Sequence, residues 1–88
     1  MSTGQFVNKA AAGQPVFETR DFYLACFLRC IGYDLLDLRA EGRHKVFVFR
    51  DRPSRREDVI GFYGDAISVR PMAFASTIKD MKGLLHNA

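Results

Sequence analysis

Four consecutive apolar residues, Val46-Phe47-Val48-Phe49, constrain the fold more than any other feature of the sequence. β-Branched and aromatic side chains favour extended backbone, so this run predicts a strand from His44 to Arg50. Successive side chains of a strand point to opposite faces of its sheet, so the two valines face one side and the two phenylalanines face the other. The sequence therefore predicts a strand that is covered on both sides.

The residues around this strand predict a hairpin and a small antiparallel sheet. Asp34 to Arg39 is predicted as the preceding strand, with Ala40-Glu41-Gly42-Arg43 as the turn. Ile67-Ser68-Val69 is predicted as a short third strand, because a two-stranded hairpin alone is only marginally stable.

Three helices are predicted beside the sheet. The first runs from Arg20 to Ile31, with Thr19 as its N-cap and Gly32 as the residue that ends it. It is apolar nearly all round, so it needs cover on more than one side, and a partner subunit is one source of that cover. This helix and the two-sided strand together predict a homodimer. The alternative is that the chain's other helices and its N-terminal arm cover the apolar surfaces of this helix and this strand.

The second and third predicted helices follow the hairpin. Ser54 and Glu57 have the spacing of a capping box, which predicts a helix from Arg55 to about Tyr63. Pro71 suits the first turn of the third helix. Its packing face is predicted from helical spacing to consist of Phe74, Ile78, Met81 and Leu85.

With 88 residues, the chain has room for one domain. Residues 1–16 show no clear period and are predicted to form an irregular arm, in which Gln5-Phe6-Val7 touches the body. Residues 17–88 are predicted to form a single α+β domain. Its element order is α-β-β-α-(β)-α, with a small antiparallel sheet packed against the helices.

The sequence gives no indication of export or of a membrane partner. The N-terminus lacks a charged start followed by a long apolar run, and no stretch approaches the roughly 20 apolar residues of a membrane span. Cys26 and Cys30 lie four apart on one predicted helix, which is a poor spacing for a disulfide. A cytoplasmic location is therefore expected.

Basic residues are concentrated in one segment of the chain. Residues 39–56 contain seven basic and two acidic side chains, whereas the rest of the chain contains six basic and eight acidic ones. Clustered arginines and lysines bind phosphates, so this basic band predicts a non-enzymatic module that binds nucleic acid. The candidate binding residues are Arg43, Lys45, Arg50, Arg52, Arg55 and Arg56.

Other interpretations of the basic band remain open. In one of them, the arginines form a solvated rim while Phe47 and Phe49 belong to the core, and the abundance of arginine reflects a GC-rich genome. On that interpretation the protein is an interaction or adaptor module of a phage or mobile element, without nucleic-acid binding.

Catalytic, metal and cofactor sites are not expected. Cys26, Cys30, His44 and His86 are too few and too poorly spaced for a zinc signature, so the cysteines are interpreted as core residues. Asp34 and Asp37 are three apart on a predicted strand, so they point to opposite faces and cannot act together simply. With no phosphate loop and no nucleophile motif, an enzyme is the least favoured class.

Three stretches carry a resemblance to a known family. They are Thr19-Arg20-Asp21-Phe22-Tyr23-Leu24-Ala25 with Gly32-Tyr33, Lys45-Val46-Phe47-Val48-Phe49, and Ile78-Lys79-Asp80-Met81-Lys82. Within Phe17 to Leu85, the chain resembles an uncharacterised family of small prokaryotic and phage-associated proteins, known as a domain of unknown function. The resemblance implies the same element order and transfers no functional residues.

Overall fold

The computed structural model describes residues 15–87, which form three strands and three helices. The elements are β1 (Val16–Thr19), α1 (Phe22–Cys30), β2 (Leu35–Glu41), β3 (His44–Arg50), α2 (Arg55–Tyr63) and α3 (Pro71–Asn87). The fold is α+β with an antiparallel sheet, as predicted. The predicted contact of Gln5-Phe6-Val7 lies outside the described residues.

β3 lies at the centre of the sheet, in the strand order β1-β3-β2. It pairs antiparallel with both neighbours, so Phe49 lies opposite Phe17 of β1 and opposite Leu35 of β2. The predicted strand from His44 to Arg50 is confirmed with both its bounds. Its apolar run supplies the side chains that the flanking strands and the helices pack around.

The third strand is β1, so the prediction of a strand at Ile67-Ser68-Val69 is wrong. Residues 66–70 instead form an irregular connection that folds back on α2. The Ala66 N–H donates to the Gly61 carbonyl at 2.9 Å, and the Ile67 side chain fills the space beside Gly61. β1 begins at Val16, one residue before the predicted domain boundary at residue 17.

The hairpin turn is two residues long, not four. Ala40 and Glu41 continue β2, and the turn consists of Gly42 and Arg43. Gly42 has φ +61°, whereas Arg43 does not have a positive φ. A positive φ at the first turn residue alone is the pattern of a type II′ turn, which favours glycine at that position.

α1 begins at Phe22 and not at Arg20, because Asp21 is the N-cap. The Asp21 carboxylate accepts a hydrogen bond from the Leu24 N–H at 3.1 Å, which satisfies a free donor of the first turn. Thr19, the predicted cap, ends β1, and its hydroxyl accepts from the Asp21 N–H at 3.0 Å. At the other end, Gly32 has φ +96° and stops the helix as predicted.

The two later helices start close to their predicted positions. α2 spans Arg55–Tyr63, but the predicted capping box is wrong because the Ser54 side chain makes no capping bond. Its hydroxyl donates instead to the Asp58 carboxylate at 3.0 Å. Pro71 opens α3 as predicted. The predicted packing face of α3 is confirmed, with Met81 buried and the other three residues half-buried.

The core lies between α1 and one face of the sheet. Residues Leu24 to Leu28 of α1 are all buried, and they cluster with Phe47, Phe49 and Tyr33. Met81 of α3 and Phe62 of α2 pack against the same cluster. The chain's own elements therefore cover α1 on more than one side, which weakens the argument that α1 needs a partner subunit.

Val46 and Val48 are buried on the opposite face of the sheet, where each is 4% exposed. Arg39 of β2 lies opposite Val46, and Glu18 of β1 lies opposite Val48. The Arg39 guanidinium reaches across β3 and contacts the Glu18 carboxylate at 2.7 Å. The strand is therefore covered on both sides, and on this face long charged side chains contribute the cover through their apolar stems.

None of the helices described in residues 15–87 has both the length and the apolar character that a membrane crossing requires.

Candidate nucleic-acid interface

The predicted basic band divides between the two ends of β3. Arg43 and Lys45 lie at the hairpin turn, whereas Arg50 lies at the far end of the strand. A strand rises about 3.3 Å per residue, so roughly 16 Å of backbone separates residue 45 from residue 50. Arg50 belongs to a group of four arginines between the end of β3 and the first turn of α2, which we call the junction cluster: Arg50, Arg52, Arg55 and Arg56.

Arg50 is tied to the start of β2. Its Nε lies 3.3 Å from the Asp34 carboxylate, and its backbone N–H donates to the Asp34 carbonyl at 3.0 Å. Its side chain is 38% exposed. Ion pairs this exposed contribute little to stability, so Arg50 remains able to exchange Asp34 for another anion.

Arg52 stacks on the ring of Tyr33, with 4.2 Å between its guanidinium carbon and the ring centroid. The same guanidinium donates to the carbonyls of Ile31 and Gly32, the residues that end α1. These contacts hold the junction cluster against the α1–β2 connection. A stacked guanidinium also loses less conformational freedom when it binds a ligand.

Arg55 has a similar arrangement at the first position of α2. Its guanidinium carbon lies 4.6 Å from the centroid of the Phe17 ring, and its Nε donates to the Asp51 carboxylate at 3.2 Å. Arg56 is exposed one position further along the helix. Among the ion pairs of residues 15–87, none includes Arg52 or Arg56.

Buried Tyr33 and half-buried Asp58 support the cluster, and sequence reasoning missed both. The Tyr33 ring is fully buried, and its hydroxyl donates to the Asp58 carboxylate at 2.6 Å. Burial, followed by this hydrogen bond, raises the pKa of Tyr33 to about 12. The two residues are 25 positions apart, so no local spacing in the sequence marks them as partners.

The junction cluster is not uniformly positive. Asp34, Asp51 and Asp58 lie among its arginines, and each accepts a hydrogen bond from a neighbouring side chain. Within the junction cluster, the arginines without a carboxylate partner in the described part of the chain are therefore Arg52 and Arg56. These two side chains are the positions where an added phosphate would meet the least competition.

A second exposed surface lies on α2. Arg56, Ile60 and Tyr63 share one face of the helix by their spacing, and Ile60 and Tyr63 are 57% and 60% exposed. The Tyr63 hydroxyl donates to the Asp21 carboxylate at 2.6 Å, which fixes the ring and lowers the pKa of Asp21. Arginine, tyrosine and isoleucine side chains in this arrangement can pack against another macromolecule.

The candidate metal ligands do not come together in residues 15–87, where no group of three or more histidine, cysteine or acidic side chains could hold an ion. Cys26 is buried and Cys30 is half-buried, and both are free thiols. Burial raises the pKa of Cys26 to about 11, so its thiol is protonated at neutral pH. The cysteines pack as small apolar side chains.

Comparison with known protein families gave one informative result. A family model with the description "Domain of unknown function (DUF5659)" matches residues 14–87. No curated protein matches the chain, and no solved structure matches it either. The matched range begins just before β1 and ends with α3, so it includes every element described above.

Proposed function

We propose, given that the chain belongs to the DUF5659 family of domains of unknown function, that it is a non-enzymatic binding module whose ligand is nucleic acid. The binding surface is the junction cluster, with Arg52, Arg55 and Arg56 in contact with phosphate and Arg50 beside them. Arg43 and Lys45, at the other end of β3, extend the contact only for a strand long enough to run along the sheet.

The stacking of two cluster arginines on aromatic rings carries this proposal. Arg52 lies over Tyr33 and Arg55 lies over Phe17, so both guanidinium groups are positioned before any ligand arrives. A guanidinium has five N–H donors, and the contacts described above use only some of them. The remaining donors can bind phosphate oxygens, for which the planar guanidinium group is well suited.

The competing carboxylates make the binding sensitive to salt. Phosphate must replace Asp51 at Arg55 and Asp34 at Arg50, and both of these ion pairs are partly exposed. Binding to phosphate also releases condensed counterions from the nucleic acid. We therefore expect weak binding at physiological salt and strong binding at low salt.

Fluorescence anisotropy of labelled single- and double-stranded oligonucleotides, titrated at several salt concentrations, tests the proposal. The double variant Arg55→Gln/Arg56→Gln is compared with Arg43→Gln/Lys45→Gln, which removes the same charge from the other end of β3. Loss of two phosphate contacts should lower affinity about tenfold or more and reduce the salt slope by about 1–2. The control pair should bind short oligonucleotides almost as well as the wild type.

Two results would overturn nucleic-acid binding at this surface. One is the absence of binding even at low salt. The other is an equal loss in the two double variants, which would mean that net charge alone attracts the oligonucleotide. Circular dichroism and thermal unfolding of each variant check that the changed side chains leave the fold intact.

The proposal includes a cytoplasmic location. Free Cys26 and Cys30 fit a reducing compartment, where nucleic acid is also accessible. A fusion of the full chain to a fluorescent protein, followed by fractionation of the host cells, measures this location directly.

The exposed face of α2 favours a second candidate function, a protein-interaction module of a phage or mobile element. Ile60 and Tyr63 are exposed apolar residues beside Arg56, and such side chains commonly anchor protein interfaces. This candidate requires a partner whose binding survives high salt and nuclease. Binding of that partner should be lost in Ile60→Asp and retained in Met72→Asp, the matched change at an exposed apolar residue of α3.

A further inference from the structure

Within residues 15–87, β2 is an edge strand with one side free. In the strand order β1-β3-β2 it pairs only with β3 within the described residues. It is seven residues long, whereas the other edge strand, β1, has four. Leu35, Leu36 and Leu38 of β2 are half-buried, so part of their apolar surface is still in contact with water. A long edge strand of this kind can accept a further strand.

The two-residue turn fixes which backbone groups of β2 face the free side. A two-residue hairpin makes Glu41 and His44 a hydrogen-bonded pair, and the alternation of the ladder then directs Asp37, Arg39 and Glu41 towards β3. Leu38 and Ala40 direct their backbone groups outwards. In agreement, the Leu38 N–H donates to the Asp37 carboxylate at 2.8 Å.

The sequence of β2 is complementary to itself about Leu38. When two copies pair antiparallel with Leu38 opposite Leu38 of the partner subunit, Asp37 lies opposite Arg39 of the partner subunit. By symmetry, Arg39 lies opposite Asp37 of the partner subunit, which gives two opposite-charge pairs on one face of the sheet. Leu36 comes opposite Ala40 of the partner subunit, so the other face joins apolar residues.

We propose that the protein forms a symmetric dimer by pairing its β2 edge with the β2 edge of a second copy. The two three-stranded sheets then join into one sheet of six strands. The Leu38 N–H exchanges the Asp37 carboxylate for the carbonyl of Leu38 of the partner subunit. The released Asp37 carboxylate pairs with Arg39 of the partner subunit, which extends the ion cluster of Glu18, Arg39 and Glu41.

The charges and the irregular register of the β2 edge can also be explained if the protein is a monomer. The register of β2 shifts between Leu35 and Asp37, and both a bulge and a charged side chain can protect an edge strand from pairing. The shift ends at Asp37, and the register from Asp37 to Glu41, which includes both members of each charge pair, is regular. The oligomeric state therefore decides between pairing and protection, independently of any binding to nucleic acid.

Two charge reversals test the register by sedimentation equilibrium of the full chain over a concentration series. In a dimer of Asp37→Arg, the arginine introduced at position 37 of each copy lies opposite Arg39 of the partner subunit, so two pairs of arginines repel each other. In a dimer of Arg39→Glu, the glutamate introduced at position 39 of each copy lies opposite Asp37 of the partner subunit, so two pairs of carboxylates repel each other. Each variant should therefore dissociate about tenfold more readily than the wild type. An equimolar mixture should form a heterodimer, because the mixed pairing makes both contacts attractive again. Glu57→Arg, on the exposed side of α2, is the matched control and should dimerise normally.

A second measurement uses the wild-type chain alone, because Arg39→Glu also removes the contacts with Glu18 and Glu41 and can lower stability. Amide hydrogen exchange at Leu38 and Ala40 should slow as protein concentration rises. Val16 and Glu18, which face the free side of β1 by the same alternation, should exchange at a constant rate. A monomer at every concentration would overturn the proposal. So would a dimer that Asp37→Arg does not weaken, or exchange at the β2 edge that does not depend on concentration.

Discussion

At the scale of single residues, Tyr33 connects the parts of the molecule that carry the junction cluster. Its ring packs edge-on against Phe49 of the sheet, and Arg52 lies over its face. Its hydroxyl donates to Asp58 in α2. This one side chain therefore contacts the sheet, the connection between β3 and α2, and α2 itself. Because the ring is fully buried, ionisation of the hydroxyl is strongly unfavourable in the folded state.

This environment makes the stability of the protein depend on pH in the alkaline range. The pKa of Tyr33 is raised from 10.0 to about 12, so the neutral hydroxyl contributes its full stabilisation below pH 10. That stabilisation is lost as the pH rises through the folded-state pKa. We expect Tyr33→Phe to be less stable by about 1 kcal/mol at neutral pH, since one hydrogen bond is lost.

Urea unfolding of the wild type and of Tyr33→Phe at neutral pH, at pH 10 and near pH 12 measures this dependence. Between pH 10 and about 12 the wild type should lose stability faster than the variant, by about 1–2 kcal/mol over the interval. Tyr63 is present in both proteins, so the difference between them isolates Tyr33. If the free energies of unfolding of the two proteins fell in parallel with pH, the raised pKa would not belong to Tyr33.

At the scale of elements, α2 and α3 each contain a glycine in a different environment. A Cβ at Gly83 of α3 would meet nothing within 4 Å, whereas a Cβ at Gly61 of α2 would lie 2.6 Å from Cγ1 of Ile67. At a helix position without steric hindrance, alanine stabilises the helix by about 1 kcal/mol relative to glycine. The two positions therefore separate helix propensity from packing.

Gly83→Ala should raise the free energy of unfolding by about 0.5–1 kcal/mol. Gly61→Ala should give no such gain and should destabilise the protein, because Ile67 must move away from α2. Chemical denaturation of the two variants beside the wild type measures both effects. If Gly61→Ala stabilised the protein as much as Gly83→Ala, the connection after α2 would not pack as described.

Periodicity in the sequence predicted the elements that have strong local signals. The apolar run of β3 was sufficient to predict that strand without tertiary information. The same holds for α3, which was predicted from the spacing of Phe74 and Ile78 and from the position of Pro71. The choice of third strand was not predictable in this way. Val16–Thr19 has only four residues, and both it and Ile67-Ser68-Val69 contain strand-favouring side chains, so propensity does not separate them. Pairing with β3 decided in favour of Val16–Thr19.

At the scale of the whole molecule, β1 completes the sheet. Its Phe17 lies opposite Phe49 and under Arg55, while its Glu18 holds Arg39 across Val48. Without β1, the sheet would be a two-stranded hairpin with one open edge along its central strand. Hairpins of two strands are at best marginally stable in water.

We therefore expect a fragment that begins at residue 20 to lose its cooperative unfolding transition. A fragment that begins at residue 14, where the family match starts, should retain it. Thermal unfolding followed by circular dichroism compares the two fragments with the full chain. A cooperative transition in the shorter fragment would show that the helices stabilise the hairpin without β1.

The sequence by itself determined the α+β class and the central strand, and it predicted the four junction arginines as candidate site residues, because these depend on local composition and spacing. Tertiary structure decided which segment became the third strand and which side chains covered Val46 and Val48. It also separated Arg43 and Lys45 from the junction cluster and placed Tyr33 beside Asp58. These outcomes depend on contacts between residues far apart in the chain, whose free energy becomes available only after the elements have packed together.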